Sequence, residues 1–258
     1  MKNDLTWKLK AQPTAGELAE LVKMKVLTAD EARDIIFNKG KRENPSTATT
    51  VVHFLLDGSG SMGSVRDATI EAYNEYVNSL KKDGGKYKLS LTSFDSDGQG
   101  KLRLNEVHEH TYVDELPELT REDYVPAGGT PLYDAFCSVL KRLASRKDEK
   151  HLFVVLTDGQ ENASSKYTAE DMKKLKAEKE EDGNWTFVYL GANQDSFATS
   201  KSFGFSHSNT SNFNATDGGI KTMVSNLSFA TRSYSASPTM STSAYFTKDM
   251  QDENEQTK

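Results

Sequence analysis

Apolar residues come in two rhythms along this chain, and the rhythms alternate. Short runs that are apolar at every position, VVHFLL (51–56), HLFVVL (151–156) and WTFVYL (185–190), are bounded by polar turns and predict strands buried on both faces. Between them lie helical spacings. Val65, Ala68, Ala72, Tyr76 and Leu80 mark a helix over 65–82, and further helices are predicted over 132–145 and near 168–180, 194–202 and 217–230. YKLSLTSF (87–94) predicts another strand, and the alternation of Leu102, Leu104 and Val107 predicts a strand or hairpin over 99–113. Strands alternating with helices imply a doubly wound α/β fold, with a mainly parallel sheet and one antiparallel edge strand.

Upstream of this block the pattern changes. Residues 14–25 and 28–39 form two short helical patterns, each opening with a Thr and an acidic residue three positions later (Thr14 with Glu17, Thr28 with Glu31). Each carries one apolar stripe, too little to stand alone. The sequence therefore divides into an N-terminal helical hairpin (1–40), a polar linker (41–48), the α/β domain (49–235) and a Ser/Thr-rich, acidic tail (236–258). Composition alone makes that tail partly disordered.

Charge and cysteine content narrow the function classes. A net charge of −6 over 258 residues, without a basic stripe, argues against nucleic acid as a partner. No apolar run reaches membrane-spanning length, and the N-terminus lacks a signal-peptide core, so a cytoplasmic location without membrane contact is expected. The single cysteine, Cys137, falls in an apolar helical stretch and reads as a buried hydrophobe. The glycosylation sequons at Asn162, Asn184, Asn209, Asn214 and Asn226 read as chance matches.

The chemistry concentrates in the loop after the first strand. Its glycines, Gly58, Gly60 and Gly63, spell the dinucleotide-binding pattern G-x-G-x-x-G. Asp57 before the first glycine would set one anion against another, and no ribose-binding acid falls roughly 20 residues on. Its oxygens spell something else: Asp57, Ser59 and Ser61 alternate along a tight turn and can aim three hard ligands at one cation. Two later loops carry matching oxygens. Thr130 closes PAGGTP before a helix, and Asp158 follows LFVVL in Thr157-Asp158-Gly159. Thr130 alone reads as a helix cap and Asp158 alone as a turn residue.

Taken in order, Asp57-Gly58-Ser59-Gly60-Ser61, Gly129-Thr130 and Thr157-Asp158-Gly159 resemble the metal-ion-dependent adhesion site of von Willebrand factor type A domains. The resemblance covers about residues 49–235. It implies that Ser59, Ser61 and Thr130 supply hydroxyls to a divalent ion, Mg²⁺ with Mn²⁺ or Ca²⁺ as alternatives. Asp57 and Asp158 would supply carboxylates, partly through water. It also implies a protein-binding module whose partner offers an Asp or Glu to the ion. The expected absence of a secretory signal places the chain nearer the intracellular bacterial and phage members, with an AAA-type ATPase or a stress-response protein as implied partner.

Other readings stay open. A Mg²⁺-dependent phosphoesterase of haloacid-dehalogenase type would need D-x-D, and the second position here is Ser59; a serine hydrolase would need G-x-S-x-G, which this loop does not provide. Self-assembly would need one copy to offer Asp249, Asp252, Glu253 or Glu255 to the next copy's ion. His108 and His110, two apart on a strand, are expected to share a face as a possible transition-metal pair or, more simply, an exposed hairpin. Asp95 and Asp97 read as a turn, with calcium as the alternative. Glu161 and Asn162 fit a rim or an ordinary loop, and Phe197, Phe203 and Phe205 fit packing.

Overall fold

The computed structural model describes residues 22–23, 48–192 and 196–256. The hairpin and linker expected over 1–48 lie outside the described residues, apart from Val22 and Lys23, which are helical, and Ala48. Contacts divide the chain into two units, Met1–Ser46 with Ala236–Pro238, and Thr47–Ser235 with Thr239–Lys258. The second carries the sheet and the site.

Six strands form that sheet: β1 (Thr49–Asp57), β2 (Tyr87–Ser96), β3 (Leu102–Tyr112), β4 (Glu149–Thr157), β5 (Trp185–Ala192) and β6 (Thr210–Phe213). Their order is β3-β2-β1-β4-β5-β6. β1 pairs in parallel with both β2 and β4, β5 continues the parallel run to β6, and only β3 is antiparallel, against β2. The expected doubly wound, mainly parallel sheet with one antiparallel edge strand is therefore the observed one. Two strands sharpen the sequence reading. Within the stretch 99–113, Leu102–Tyr112 form a single strand paired back on β2, and β6, made of the polar stretch TSNF, is an element the hydrophobic pattern gives no sign of.

Helices cover both faces, and each apolar run divides its side chains between them. Val52, Phe54 and Leu56 of β1 pack with Leu152, Val154 and Leu156 of β4 against α1 (Arg66–Asp83) and α5 (Asp217–Ala236). Leu55, Phe153, Val155 and Phe187 face the other side, against α2 (Leu132–Arg142), Met172 of α3 (Ala169–Glu180), and Phe203 and Phe205 just after α4 (Ser196–Ser202). Phe203 and Phe205 thus pack as expected, while Phe197 stacks on His207 with ring centroids 4.4 Å apart. Cys137 is buried and free. Asn184, Asn209 and Asn226 are buried with bonded amides, which closes those three sequons to modification.

The tail corrects the disorder expected of it. Lys248–Gln256 form α6, and the Thr247 hydroxyl accepts from the Met250 N–H at its start. Met250, Gln251 and Asn254 are buried. Gln251 donates to the Thr210 carbonyl of β6 at 2.6 Å, and Asn254 donates to Ser211 Oγ at 2.6 Å and accepts from Asn226 at 2.8 Å. Composition misleads here because the helix is held by amide bonds to a polar edge strand as much as by apolar area. A buried lysine closes the neighbouring helix end: Lys150 Nζ donates to the Tyr234 and Ser235 carbonyls at 3.0 and 3.1 Å, satisfying acceptors that α5 leaves open.

Candidate functional site

The loops at the carboxyl ends of β1 and β4 and the loop entering α2 meet at one sheet edge, and backbone bonds fasten them together. The Gly58 N–H donates to the Phe94 carbonyl at 2.8 Å, and the Ala127 N–H donates to the Gly58 carbonyl at 2.7 Å. The Gly60 N–H donates to the Gly128 carbonyl at 3.0 Å. Gly128 sits at φ +66°, and a Cβ there would lie 1.9 Å from the Ser96 carbonyl oxygen, so glycine is required where the loops cross. The first turn of the β1 loop winds as a 3-10 helix over Gly60–Val65 before α1 begins.

Asp57 ends β1 with no exposed surface. Its Oδ1 accepts the Ser59 N–H at 2.8 Å, and its Oδ2 accepts the Thr157 hydroxyl at 2.5 Å. The Tyr124 hydroxyl, itself buried, donates to the Asp57 carbonyl at 2.5 Å. Burial raises the Asp57 carboxyl to about 6; hydrogen bonds from Thr157 and Ser59 pull it down, and neighbouring Asp158 pushes it up. Among the described residues, no Lys or Arg pairs with it.

The other four predicted residues gather around this carboxylate. Ser59 Oγ lies 3.0 Å from Ser61 Oγ, and the Ser61 hydroxyl donates to Asp158 Oδ1 at 2.7 Å. Thr130, 2% exposed, enters from the third loop. Gly159 marks the point where they converge. A methyl group placed on it would lie 2.9 Å from Thr130 Oγ1 and 3.7 Å from both Asp57 Oδ2 and Ser61 Oγ. Side-chain oxygens from two loops therefore face one small space that a glycine of the third loop leaves open. Ser59 is buried, Ser61 is exposed and Asp158 is half-buried, so the cluster opens outward on the side of Ser61 and Asp158.

Two carboxylates and three hydroxyls form a donor set of hard oxygens, which suits a hard divalent cation rather than a soft one. Among the described residues, no group of three or more His, Cys, Asp or Glu is arranged to hold a metal. The hydroxyls are thus essential to any cation site here.

Several residues support the site in roles that the sequence did not indicate. Thr157 is level with Asp57, because β1 and β4 pair Leu56 with Leu156; aligning the ends of the two apolar runs would have revealed it. Asn162, expected on a rim, instead positions Thr130: its Oδ1 accepts the Thr130 N–H at 2.8 Å and its own N–H donates to the Thr130 carbonyl at 3.2 Å. Glu161 accepts from the N–H groups of Tyr133, Ala163 and Ser164 and from the Ser164 hydroxyl, so it binds the loop to the start of α2. Buried Asp134 does the same for the N–H groups of 165–167.

Asp97 takes the turn reading, whereas Asp95 lies within β2, opposite Arg103 of β3. Asp95 pairs with both Nε and an Nη of Arg103 at 2.7 and 2.8 Å, and Asp97 accepts the Gln99 and Lys101 N–H groups at 2.9 Å. His108 and His110 both lie toward His53, as the spacing predicts: His108 lines a cavity with His53, and the His110 ring centroid is 5.9 Å from that of His53. Register shifts at Leu91 and a φ of +50° at His110 interrupt the pairing with β2, and His108 is half-buried while His110 is exposed.

The family model for the von Willebrand factor type A domain matches residues 52–227. No curated protein matches the chain significantly. Three solved structures illustrate the likeness of fold. Proximal thread matrix protein 1 from the mussel byssus, with a zinc-occupied MIDAS motif, superposes at a TM-score of 0.53 and 13% identity over 84% of this chain and 52% of that one. A von Willebrand factor type A protein from Catenulispora acidiphila gives 0.51 at 13% identity, over 72% and 43%. The pilus adhesin SpaC from Lactobacillus rhamnosus GG, in its open conformation, gives 0.55 at 13%, over 71% and 30%. The matched region spans about half or less of each of those chains. From the middle of β1 into α5 the family model follows the parallel sheet and all three converging loops, and the chain belongs to the von Willebrand factor type A domain family.

Proposed function

We propose that the chain is a metal-dependent protein-interaction module. Asp57, Ser59, Ser61, Thr130 and Asp158 hold a divalent cation, Mg²⁺ by preference with Mn²⁺ or Ca²⁺ as substitutes, and a partner's Asp or Glu completes its coordination. One observation carries the reading. Asp57 is a fully buried carboxylate whose side-chain neighbours are hydroxyls and a second carboxylate, beside a space that only Gly159 leaves open. Burying such an anion without a cation is unfavourable, and a divalent ion in that space would reverse the balance. The zinc carried by the mussel protein at its own motif adds support for a divalent ion.

Bound there, the ion would supply a strong positive charge at the open side of the cluster, where an incoming carboxylate gains a charge-assisted contact that a neutral group does not. The chain's own residues orient it: Thr157 and Tyr124 fix Asp57, and Asn162 fixes Thr130. We propose a binding role rather than an enzymatic one, since no general acid stands beside Asp57 in place of Ser59. A cytoplasmic bacterial or phage setting, with an AAA-type ATPase or stress-response protein as partner, is our reading from the family resemblance.

Mn²⁺ relaxivity tests this. Titrating Mn²⁺ into the protein should give one saturable site. A Glu-containing peptide at high concentration should then lower the relaxivity by displacing water from the ion, and its Gln counterpart should not. Equal effects from both peptides would remove the carboxylate from the account. Steady hydrolysis of a generic phosphate ester, abolished by Asp57→Ala, would instead revive the phosphoesterase.

A second reading has its own observation. The acidic tail is an ordered helix that exposes Asp249 and Glu255, so a neighbouring copy would meet these carboxylates on a fixed scaffold. Light scattering with Mg²⁺ and with chelator separates the two: Mg²⁺-dependent assembly lost in Asp249→Asn/Glu255→Gln supports self-association, and an unchanged mass in both conditions removes it.

A further inference from the structure

His53 precedes Asp57 by four residues on β1, and around it lies a second cluster with chemistry of its own. His53 is 2% exposed and His151 has no exposed surface. Hydrogen bonding fixes their protons. The Arg146 backbone N–H donates to His151 Nε2 at 3.2 Å, so that nitrogen carries no proton. Burial holds His151 down at about 4, so at neutral pH its ring is uncharged and its one proton sits on Nδ1. Nδ1 faces His53 Nε2 at 3.2 Å and is the donor in that pair. His53, also kept neutral by burial, is left with its proton on Nδ1. That nitrogen is buried and has no hydrogen-bond partner among the described residues. Trp185 stacks on His151 with ring centroids 4.4 Å apart and planes 13° apart, which holds the relay in place.

His53 lines a cavity of about 100 Å³ between the sheet and α2, shared with Ser90 of β2, Glu106 and His108 of β3, and Arg142. His108 Nε2 is a second buried atom without a hydrogen-bond partner among the described residues. Ser90 Oγ accepts the His110 N–H at 2.9 Å and retains its own proton to donate. Arg142 and Glu106 form an ion pair, so the pair adds no net charge to the lining. The volume exceeds severalfold the roughly 10–15 Å³ that one bridging water needs. A metal does not suit the place: the relay keeps a proton on His53 Nδ1, and among the described residues no three-ligand cluster exists.

We propose that this cavity binds a small uncharged ligand with a carboxamide edge, its carbonyl oxygen accepting from His53 Nδ1–H and its N–H donating to His108 Nε2. With His108 in its Nδ1–H form the two nitrogens would offer one donor and one acceptor, and Glu109, which also lines the cavity beside the Glu106–Arg142 pair, adds negative charge that disfavours an anion. The site is separate from the cation cluster and does not depend on it.

Long-range ¹H–¹⁵N spectra of the histidine rings test the proposal on the full chain at neutral pH. His53 and His151 should both show the Nδ1–H form. Acetamide and propionamide should shift the His53 and His108 signals saturably with millimolar affinity, as expected for ligands of so few atoms, and acetate should bind at least tenfold more weakly. His108→Ala, at a half-buried position, should weaken amide binding about tenfold while the His53 and His151 signals keep their form. No saturable shift up to about 100 mM amide would mean that the cavity holds solvent only and would overturn the proposal. Acetate binding as well as the amides, or stoichiometric Zn²⁺ removing the His53 Nδ1 proton, would overturn it in favour of an anion or a metal. If His108→Ala does not fold, the wild-type titration with amides against acetate decides alone.

Discussion

A carboxylate buried away from water and beside a second carboxylate binds its proton more tightly, and Asp57 makes that measurable. Its ordinary value is 3.8 and its value in the folded, ion-free protein is about 6. Between the two, the folded state keeps a proton that the unfolded state has released, so stability falls as pH rises through this window and levels off above it. A difference of that size corresponds to at most about 3 kcal/mol. Urea unfolding of ion-free protein from about pH 4 to about pH 7 should therefore show the wild type losing roughly 2–3 kcal/mol relative to Asp57→Asn. Parallel curves would mean that Asp57 is not held this way. The same proton competes with a cation, so apparent ion affinity should fall about tenfold for each pH unit below 6. Gly159 tests the converging oxygens from the other side. Gly159→Ala puts a methyl 2.9 Å from Thr130 Oγ1, at a backbone conformation open to alanine. We expect Mn²⁺ affinity measured by electron spin resonance to drop at least tenfold, with ion-free stability changed by less than about 1 kcal/mol. Unchanged Mn²⁺ affinity would place the ion elsewhere.

Among the elements, β6 and α6 show what a sequence conceals. TSNF has no apolar alternation, and DMQDENEQTK reads as a solvated tail. Each is ordered through the other: Gln251 and Asn254 bond β6, and Asn254 also receives the buried Asn226 amide. Only Met250, Gln251 and Asn254 face inward, a stripe too narrow and too polar for a periodicity argument to detect. Asn254→Ala leaves polar groups of Asn226 and Ser211 without this partner in a buried setting, and chemical denaturation should show a loss of about 1–3 kcal/mol. A loss within about 0.5 kcal/mol, the range of an ordinary surface substitution, would return the tail to the solvated state its composition suggests. The helices and central strands were legible because burial on both sides of a parallel sheet leaves uninterrupted apolar runs. The two histidines on β3 both lie toward His53, but the register shifts and the left-handed His110 have no signature in the local sequence.

Across the whole molecule, the candidate site was legible because its five residues stand just beyond elements that the hydrophobic pattern already delimits, and a parallel sheet brings such loops to one edge. What fastens the loops was less visible. Thr157 needs the register of β1 on β4, Tyr124 needs the path of the long loop before α2, and the His53 relay needs knowledge of which nitrogen accepts from Arg146. The most direct test of the central claim is thermal unfolding of metal-stripped protein titrated with Mg²⁺ and Mn²⁺, with Asp57→Asn alongside. An ion at about 100 times its dissociation constant adds about 2.7 kcal/mol if it binds only the folded chain. For a domain of this size that is a rise of roughly 5–10 °C in the midpoint. The account predicts this rise in the wild type, its reversal by chelator, and its absence in Asp57→Asn; an equal rise in both proteins, or none in either, would contradict it.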